Sequence, residues 1–272
     1  MIVEYEKIEG ATPLNRYQFL AGRTALKIAG GLELVERTLG LAEEIAELHV
    51  QLRKIGEVRR MPGVPRSEEQ KAEDAKLSDD LIKEAGDVLW YCSQVASDLG
   101  LELGGAMRKV LVRSGLDQDA SWLMCFPVGH EFLVQDVAGI SVYLRMGNGL
   151  KWQTPPKPDG LPDGPQAARS NRTQQNECEW AMSQIILHGG MVCGLVKKAY
   201  RDCGGVMDQE RAGRTLMHLG FILTSLSTVV SMSTLGAGTI DSVGLSHVAD
   251  INIKKLADRA ARNAIKGDGD HR

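Results

Sequence analysis

The chain has 272 residues, 43% of them hydrophobic and 25% charged, a composition of ordinary globular domains. A formal net charge of −3 argues against a nucleic-acid polymer as partner, and 5% aromatic residues leave little for a base-stacking platform. Five cysteines without a C-x-x-C pair, and an N-terminus with no apolar signal-type run, point to reduced thiols in a cytoplasmic compartment.

Leu14 to Ala29 has helical periodicity and is followed by Gly30-Gly31, a stop signal. Leu32 to Lys54 forms a long amphipathic pattern, with Leu41, Ile45, Leu48 and Leu52 on one stripe. From Ile55 to Leu77 the pattern dissolves into Arg59-Arg60-Met61-Pro62-Gly63 and mixed charges, which reads as a solvated connector or a lid. Ser78-Asp79-Asp80 opens the next helix, capped by Ser78 or Asp79 and ending near Leu99-Gly100. A further helix covers Gly104 to Arg113.

Between Ser121 and Trp152, Phe132-Leu133-Val134 and Ile140 to Leu144 are β-prone runs, a small hairpin arm with helix as the alternative. Thr154-Pro155-Pro156 through Pro165 reads as a linker. Helical patterning resumes over Thr173–Cys203, Asp208–Thr234 and Ser242–Ala264, before a polar, glycine-rich tail. Leu219 to Ile240 carries no charge and is long enough to span a bilayer. Its hydroxyls at Thr224, Ser225, Ser227, Thr228, Ser231, Ser233 and Thr234 point instead to a buried helix of a soluble protein, with no membrane partner. The fold class expected is an all-α helical bundle.

The chemistry concentrates in Glu44-Ile-Ala-Glu47 and Glu84-Ala-Gly-Asp87. Each pair is spaced i, i+3 and so lies on one helix face. Two such helices packed face to face aim four carboxylates at one spot, a metal site for a hard divalent cation such as Mg²⁺.

The two halves of the chain also resemble each other. Glu44 to Lys54 lies over His188 to Lys198 at an offset of 144 residues, and Glu84 to Leu89 over His218 to Leu223 at 134. The four carboxylate positions are replaced by His188, Met191, His218 and Phe221. A two-fold helical assembly built this way has one live metal site and one degenerate one. A second, imidazole-based metal site is the sharper reading of His188 and His218; that they are leftovers is the plainer one, since Met191 and Phe221 cannot hold Mg²⁺.

These motifs resemble the MazG-like, all-α nucleoside triphosphate pyrophosphohydrolases, whose superfamily includes the dimeric dUTPases. Tyr17-Gln18 with Arg23-Thr24-Ala25 resembles the family's opening helix, and Leu39 to Glu47 its first acidic helix. Lys83 to Tyr91 resembles the second, and Asn252 to Arg259 with Gly267 to Arg272 the tail of bacterial and phage members. The 36 residues between Glu47 and Glu84 exceed the usual interval, and the tail follows the degenerate half. The resemblance implies a catalytic unit over 1–115, an insert and linker over 116–172, and a degenerate second unit with a phosphate-binding tail over 173–272.

It further implies hydrolysis of a nucleoside triphosphate to the monophosphate and diphosphate, in a bacterial or phage-infected cell. Glu44, Glu47, Glu84 and Asp87 are then both metal ligands and catalytic residues, with Mg²⁺ or Mn²⁺ as cofactor. One of them, or Glu43, accepts the proton of the attacking water. Lys54, Asn252, Lys255, Arg259 and Lys266 are candidates for gripping the triphosphate. Tyr91, with Trp90, borders the base or fills the core, and Gln18 is a base contact. The assembly is a homodimer or a pseudo-dimeric monomer. Two rival readings are a non-catalytic nucleotide-binding module and a di-metal helical-bundle oxidase, although the latter needs Glu-x-x-His pairs that both acidic helices lack.

Overall fold

In this computed structural model the described residues are 13–25, 28, 31–59, 67–106, 132–134, 142–145, 150–151, 166–234 and 244–262. They form an all-α bundle of six long or medium helices: α1 (Pro13–Gly22), α2 (Glu33–Val58), α3 (Glu68–Asp98), α4 (Gln166–Cys203), α5 (Gln209–Thr234) and α6 (Leu245–Ala261). Helical residues 103–106 follow α3. Three short antiparallel strands, β1 (Phe132–Val134), β2 (Val142–Arg145) and β3 (Leu150–Lys151), lie between α3 and α4 in sequence, paired β1–β2–β3. The linker from Thr154 to Pro165 and the polar tail lie outside the described residues.

α2 packs on α3, α4 packs on α5, and α2 lies against α4. One apolar cluster runs through both halves of the chain, with Leu41, Leu48, Leu81 and Leu89 alongside Ile185, Leu219, Ile222 and Leu223. The two halves of the chain therefore share a single core. At their junction Gly189 faces Ile45: a Cβ added there would stand 2.5 Å from the Ile45 Cδ1. Positions 45 and 189 are themselves counterparts at the 144-residue offset, so equivalent points of the two halves meet across the interface.

The apolar α5 behaves as a core helix. It is the helix, among the described residues, long and apolar enough to cross a bilayer, yet 89% of its most apolar window is buried. Three of its threonine hydroxyls are satisfied within the helix: Thr224 bonds to the Gly220 carbonyl at 3.0 Å, Thr228 to that of Thr224 at 3.3 Å and Thr234 to that of Val230 at 2.9 Å. Bonding back to the i−4 carbonyl lets a hydroxyl sit in a dry interior without an orphaned donor.

The expected connector between residues 55 and 77 is largely helix instead. α2 continues to Val58 and α3 begins at Glu68, one full loop earlier than Ser78. The N-cap is Ser67: its hydroxyl accepts from the Gln70 amide at 3.2 Å, and the Gln70 side chain accepts from the Ser67 amide at 3.0 Å. This capping box, with Glu68 and Glu69 in the first turn, supplies the start signal. Arg59 then clamps the extension, donating to the buried Asp74 carboxylate at 2.8 Å. Gln51 adds a bond to the Leu77 carbonyl at 3.0 Å. Ser78 is buried mid-helix and caps nothing, and a helix clamped this way is no lid.

Candidate metal centre

Glu44 and Glu47 project from the middle of α2, and Glu84 from the middle of α3. One carboxylate oxygen from each lies within 4.8 Å of the other two. The sequence registers the helices to do this: Leu41, Ile45 and Leu48 on α2 and Leu81, Ala85 and Val88 on α3 are buried alongside them. The carboxylates sit at the edge of that apolar seam, Glu44 and Glu84 half-buried and Glu47 exposed.

Crowding shows in the acidity of Glu44. Its carboxyl is pushed up to about 8, first by burial and then by the negative charges of Asp87, Glu47 and Glu84, with Lys255 opposing. Without a counter-charge this residue holds its proton at neutral pH. A hard dication with oxygen ligands supplies the missing positive charge, so the donor set fits one.

Asp87 departs from the expected arrangement. It is not one of the three carboxylates drawn together; its two oxygens turn toward α6. Oδ1 accepts from the Asn252 amide at 3.1 Å and Oδ2 from the Lys255 ammonium at 2.5 Å. Opposite charge at the end of a half-buried side chain outcompetes a fourth place among three like charges. The brace continues inward, because the Asn252 Oδ1 accepts from the Tyr17 hydroxyl at 2.8 Å. Burial and the charge of Asp87 hold that phenol well above the usual tyrosine range, so it stays a donor.

Gly86 makes room for this contact. A Cβ there would meet the Asn252 Nδ2 at 2.9 Å, so the glycine between Glu84 and Asp87 lets α6 lie directly on α3. The C-terminal helix α6 thus reaches back to the acidic half of the chain.

The other expected ligand contacts separate. Arg259 lies one turn beyond Lys255 on α6 and is partly buried. Lys54 is exposed near the end of α2, two turns beyond Glu47, and bonds to the Gln51 side chain at 3.2 Å. Gln18 is a structural clasp: its amide donates to the Ser97 hydroxyl and the Leu101 carbonyl at 3.0 and 2.8 Å, while its oxygen accepts from the Leu103 amide at 2.7 Å. The bonds tie α1 to the end of α3 and to the residues just after it. Lys266 lies outside the described residues.

Tyr91 lies against α2, where a Cβ on Gly40 would fall 2.2 Å from its ring. Burial first, and then neighbouring carboxylates including Glu44, push its phenol up to about 12. Trp90 meets that ring edge-on at 4.7 Å and donates to the Thr24 hydroxyl at 3.1 Å. Trp90 is a core anchor; Tyr91 is the aromatic beside the carboxylates.

The counterpart crossing in the second half is built from different chemistry. His188 and His218 meet with their Nδ1 atoms 2.9 Å apart, and Phe221 stacks on His188 at 4.4 Å. Met191 is exposed. The positions that match Glu44 and Glu84 at those offsets thus meet as a pair of imidazoles.

Two residues near the site escaped the sequence reading. Arg37, buried on α2 seven residues before Glu44, pairs with Glu36 and lies 5.3 Å from the Trp90 ring. Asp98 ends α3. A polar residue on the buried stripe of α2 was the available signal for Arg37; Asp98 gave none. Neither family models, curated proteins nor solved structures give a match to this chain.

Proposed function

We propose that the protein is a divalent-metal-dependent nucleoside triphosphate diphosphohydrolase, releasing the monophosphate and diphosphate. The observation that carries this reading is the convergence of Glu44, Glu47 and Glu84 within 4.8 Å, beside an Asp87 held by a lysine and an asparagine from α6. Mg²⁺, or Mn²⁺ in its place, would be held by Glu44, Glu47 and Glu84, with Asp87 beside them. Such a cation neutralises phosphate charge and lowers the pKa of a bound water.

The chain's own groups do the rest. Lys255 and Arg259 bring positive charge to the side of α6 next to the carboxylates, where a triphosphate is the natural counter-ion. Asn252 fixes the orientation of Asp87 through bonds to Asp87 and Tyr17. Glu44, whose carboxyl releases its proton near pH 8 without a cation, becomes a carboxylate once the local negative charge is balanced. Glu44 or the adjacent Glu43 then accepts the proton of the attacking water.

The test is diphosphate release from a panel of nucleoside triphosphates with Mg²⁺. Turnover that disappears in folded Glu47→Gln supports the assignment. Turnover unchanged by that substitution rejects it, and nucleotide binding without any turnover replaces it with the non-catalytic module.

A further inference from the structure

A cleft of about 720 Å³ opens at the end of the α2–α3 pair, within the range of small-ligand sites. Its lining includes Glu33, Arg37, Asp98, Leu99, Tyr200 and Met207. The wall is built with care: Gly31 and Gly205 adopt positive φ, the Tyr200 hydroxyl bonds to the Gly31 carbonyl at 2.9 Å, and the Tyr200 ring lies against Gly205. Both halves of the chain contribute.

The register ties this cleft to the carboxylates. Arg37 precedes Glu44 by seven residues, two turns on the same face of α2 or about 10 Å along its axis. Asp98 follows Asp87 by eleven residues, three turns on the same face of α3. Gly40 and Tyr91 lie between the two, with the Tyr91 ring packed against Gly40. The separation matches the span of a nucleoside monophosphate.

Charge decides which end of a nucleotide belongs here. Glu33, Glu36 and Asp98 crowd one guanidinium, that of Arg37, which already pairs with Glu36. A phosphate would be repelled. A neutral ring that donates N–H groups to a carboxylate would be held, against the apolar and aromatic walls of Leu34, Leu99, Tyr200 and Met207.

Resting on the proposed hydrolase, we infer that this cleft is the base pocket and selects guanine. Its N1–H and amino group offer two parallel donors to the Asp98 carboxylate, while its O6 accepts from a guanidinium such as Arg37. Adenine offers no carbonyl, cytosine no ring N–H on that edge, and thymine or uracil places a second carbonyl where Asp98 needs a donor. A site built to bond a base edge rejects one that leaves its carboxylate unmatched.

Two measurements test this, the second of them independently of the hydrolase reading. The first compares kcat/KM for dGTP, dATP, dCTP and dTTP in the natural protein and in Asp98→Asn, a change at an exposed helix end that a thermal melt checks for folding. The dGTP-to-dATP ratio should exceed tenfold and fall at least tenfold in the variant. The second is calorimetric binding of dGMP and dAMP in EDTA, which needs neither metal nor turnover. dGMP should bind at least tenfold tighter than dAMP, with the advantage lost in Asp98→Asn and kept in Glu84→Gln. Equal binding of the two monophosphates, or a preference indifferent to Asp98→Asn, overturns the base pocket. Selective dGMP binding without turnover of any triphosphate supports the pocket and removes only the hydrolase.

Discussion

The α2–α3 and α4–α5 crossings occupy matching places in the two halves, yet they solve the packing of two facing polar residues in opposite ways. In the first, Glu44, Glu47 and Glu84 are drawn together although their charges repel, and Glu44 keeps its proton as a result. In the second, His188 and His218 share a hydrogen bond and Phe221 stacks on His188, so little electrostatic tension remains. Folded proteins keep crowded like charges where function requires them, because repacking them with neutral groups is usually less costly. On the proposed function the acidic crossing is the working one, and the histidine crossing carries no such crowding.

The largest effect should separate the two crossings directly. Glu84→Gln removes a carboxylate from the three while preserving shape, and should cut Mg²⁺-dependent diphosphate release by on the order of 10³-fold. His218→Gln changes the corresponding residue of the second half and should leave that rate within about twofold, an expectation that follows from the stated resemblance of the halves. Similar losses in both variants, measured in one assay, would end the distinction between a live and a degenerate crossing.

A second difference appears in the alkaline response of the metal-free protein. The Glu44 carboxyl is raised from 4.5 to about 8 in the folded chain. A raised carboxyl contributes stability below its unfolded value, and that stability is lost as pH climbs through the folded one. In EDTA, stability should therefore decline between about pH 4.5 and 8, by up to a few kcal/mol. Glu44→Gln should flatten that decline in denaturant titrations, whereas Mg²⁺ should stabilise the natural protein more at pH 8 than at pH 6. A natural protein whose stability holds level across this window would show that the carboxylates are not crowded in solution.

Much of the arrangement was legible beforehand, for identifiable reasons. The i, i+3 carboxylates and the apolar stripe of Leu41, Ile45 and Leu48 set the register of α2, because helix geometry is local and periodic. The early start of α3 was not legible by apolar periodicity. Glu68 to Asp80 carries a mostly polar face, and what holds it is a cap at Ser67 and one ion pair to Arg59, contacts between residues 15 apart or closer that no stripe reveals. The Asp87 brace was half legible: Asn252 and Lys255 were expected near a phosphate, but the choice of a carboxylate partner depends on how α6 docks over Gly86. Gln18 failed for the same cause, its three bonds being set by where α1 meets the end of α3.

That extension of α3 also distinguishes the halves, since α5 begins at Gln209, seven residues short of position 202, the match to Glu68 at the 134-residue offset. Arg59→Met leaves the Asp74 carboxylate, whose side chain is 1% exposed, without its guanidinium. The expected cost is about 2 kcal/mol, read as a lower denaturation midpoint, with amide exchange accelerated over residues 68–77. Exchange that accelerates uniformly across α3 would mean that the extension and the site-bearing half of the helix open as one unit.

The smallest effect tests the histidine crossing on its own terms. Burial, aided by the nearby charge of Arg214, lowers the His218 pKa below the ordinary histidine value of 6.5. The groups facing it are the His188 imidazole, whose Nδ1 shares a hydrogen bond with its own, and the Arg214 guanidinium; none is acidic. A depressed histidine contributes stability above its unfolded value, and that contribution fades as pH falls through the folded one. The natural protein should lose stability below pH 6.5 from this source, and His218→Gln should remove that loss while keeping the alkaline decline due to Glu44. The two crossings then carry pH responses of opposite sign, separable one substitution at a time. An acid limb that survives His218→Gln would place the titrating group elsewhere and leave the second crossing as packing alone.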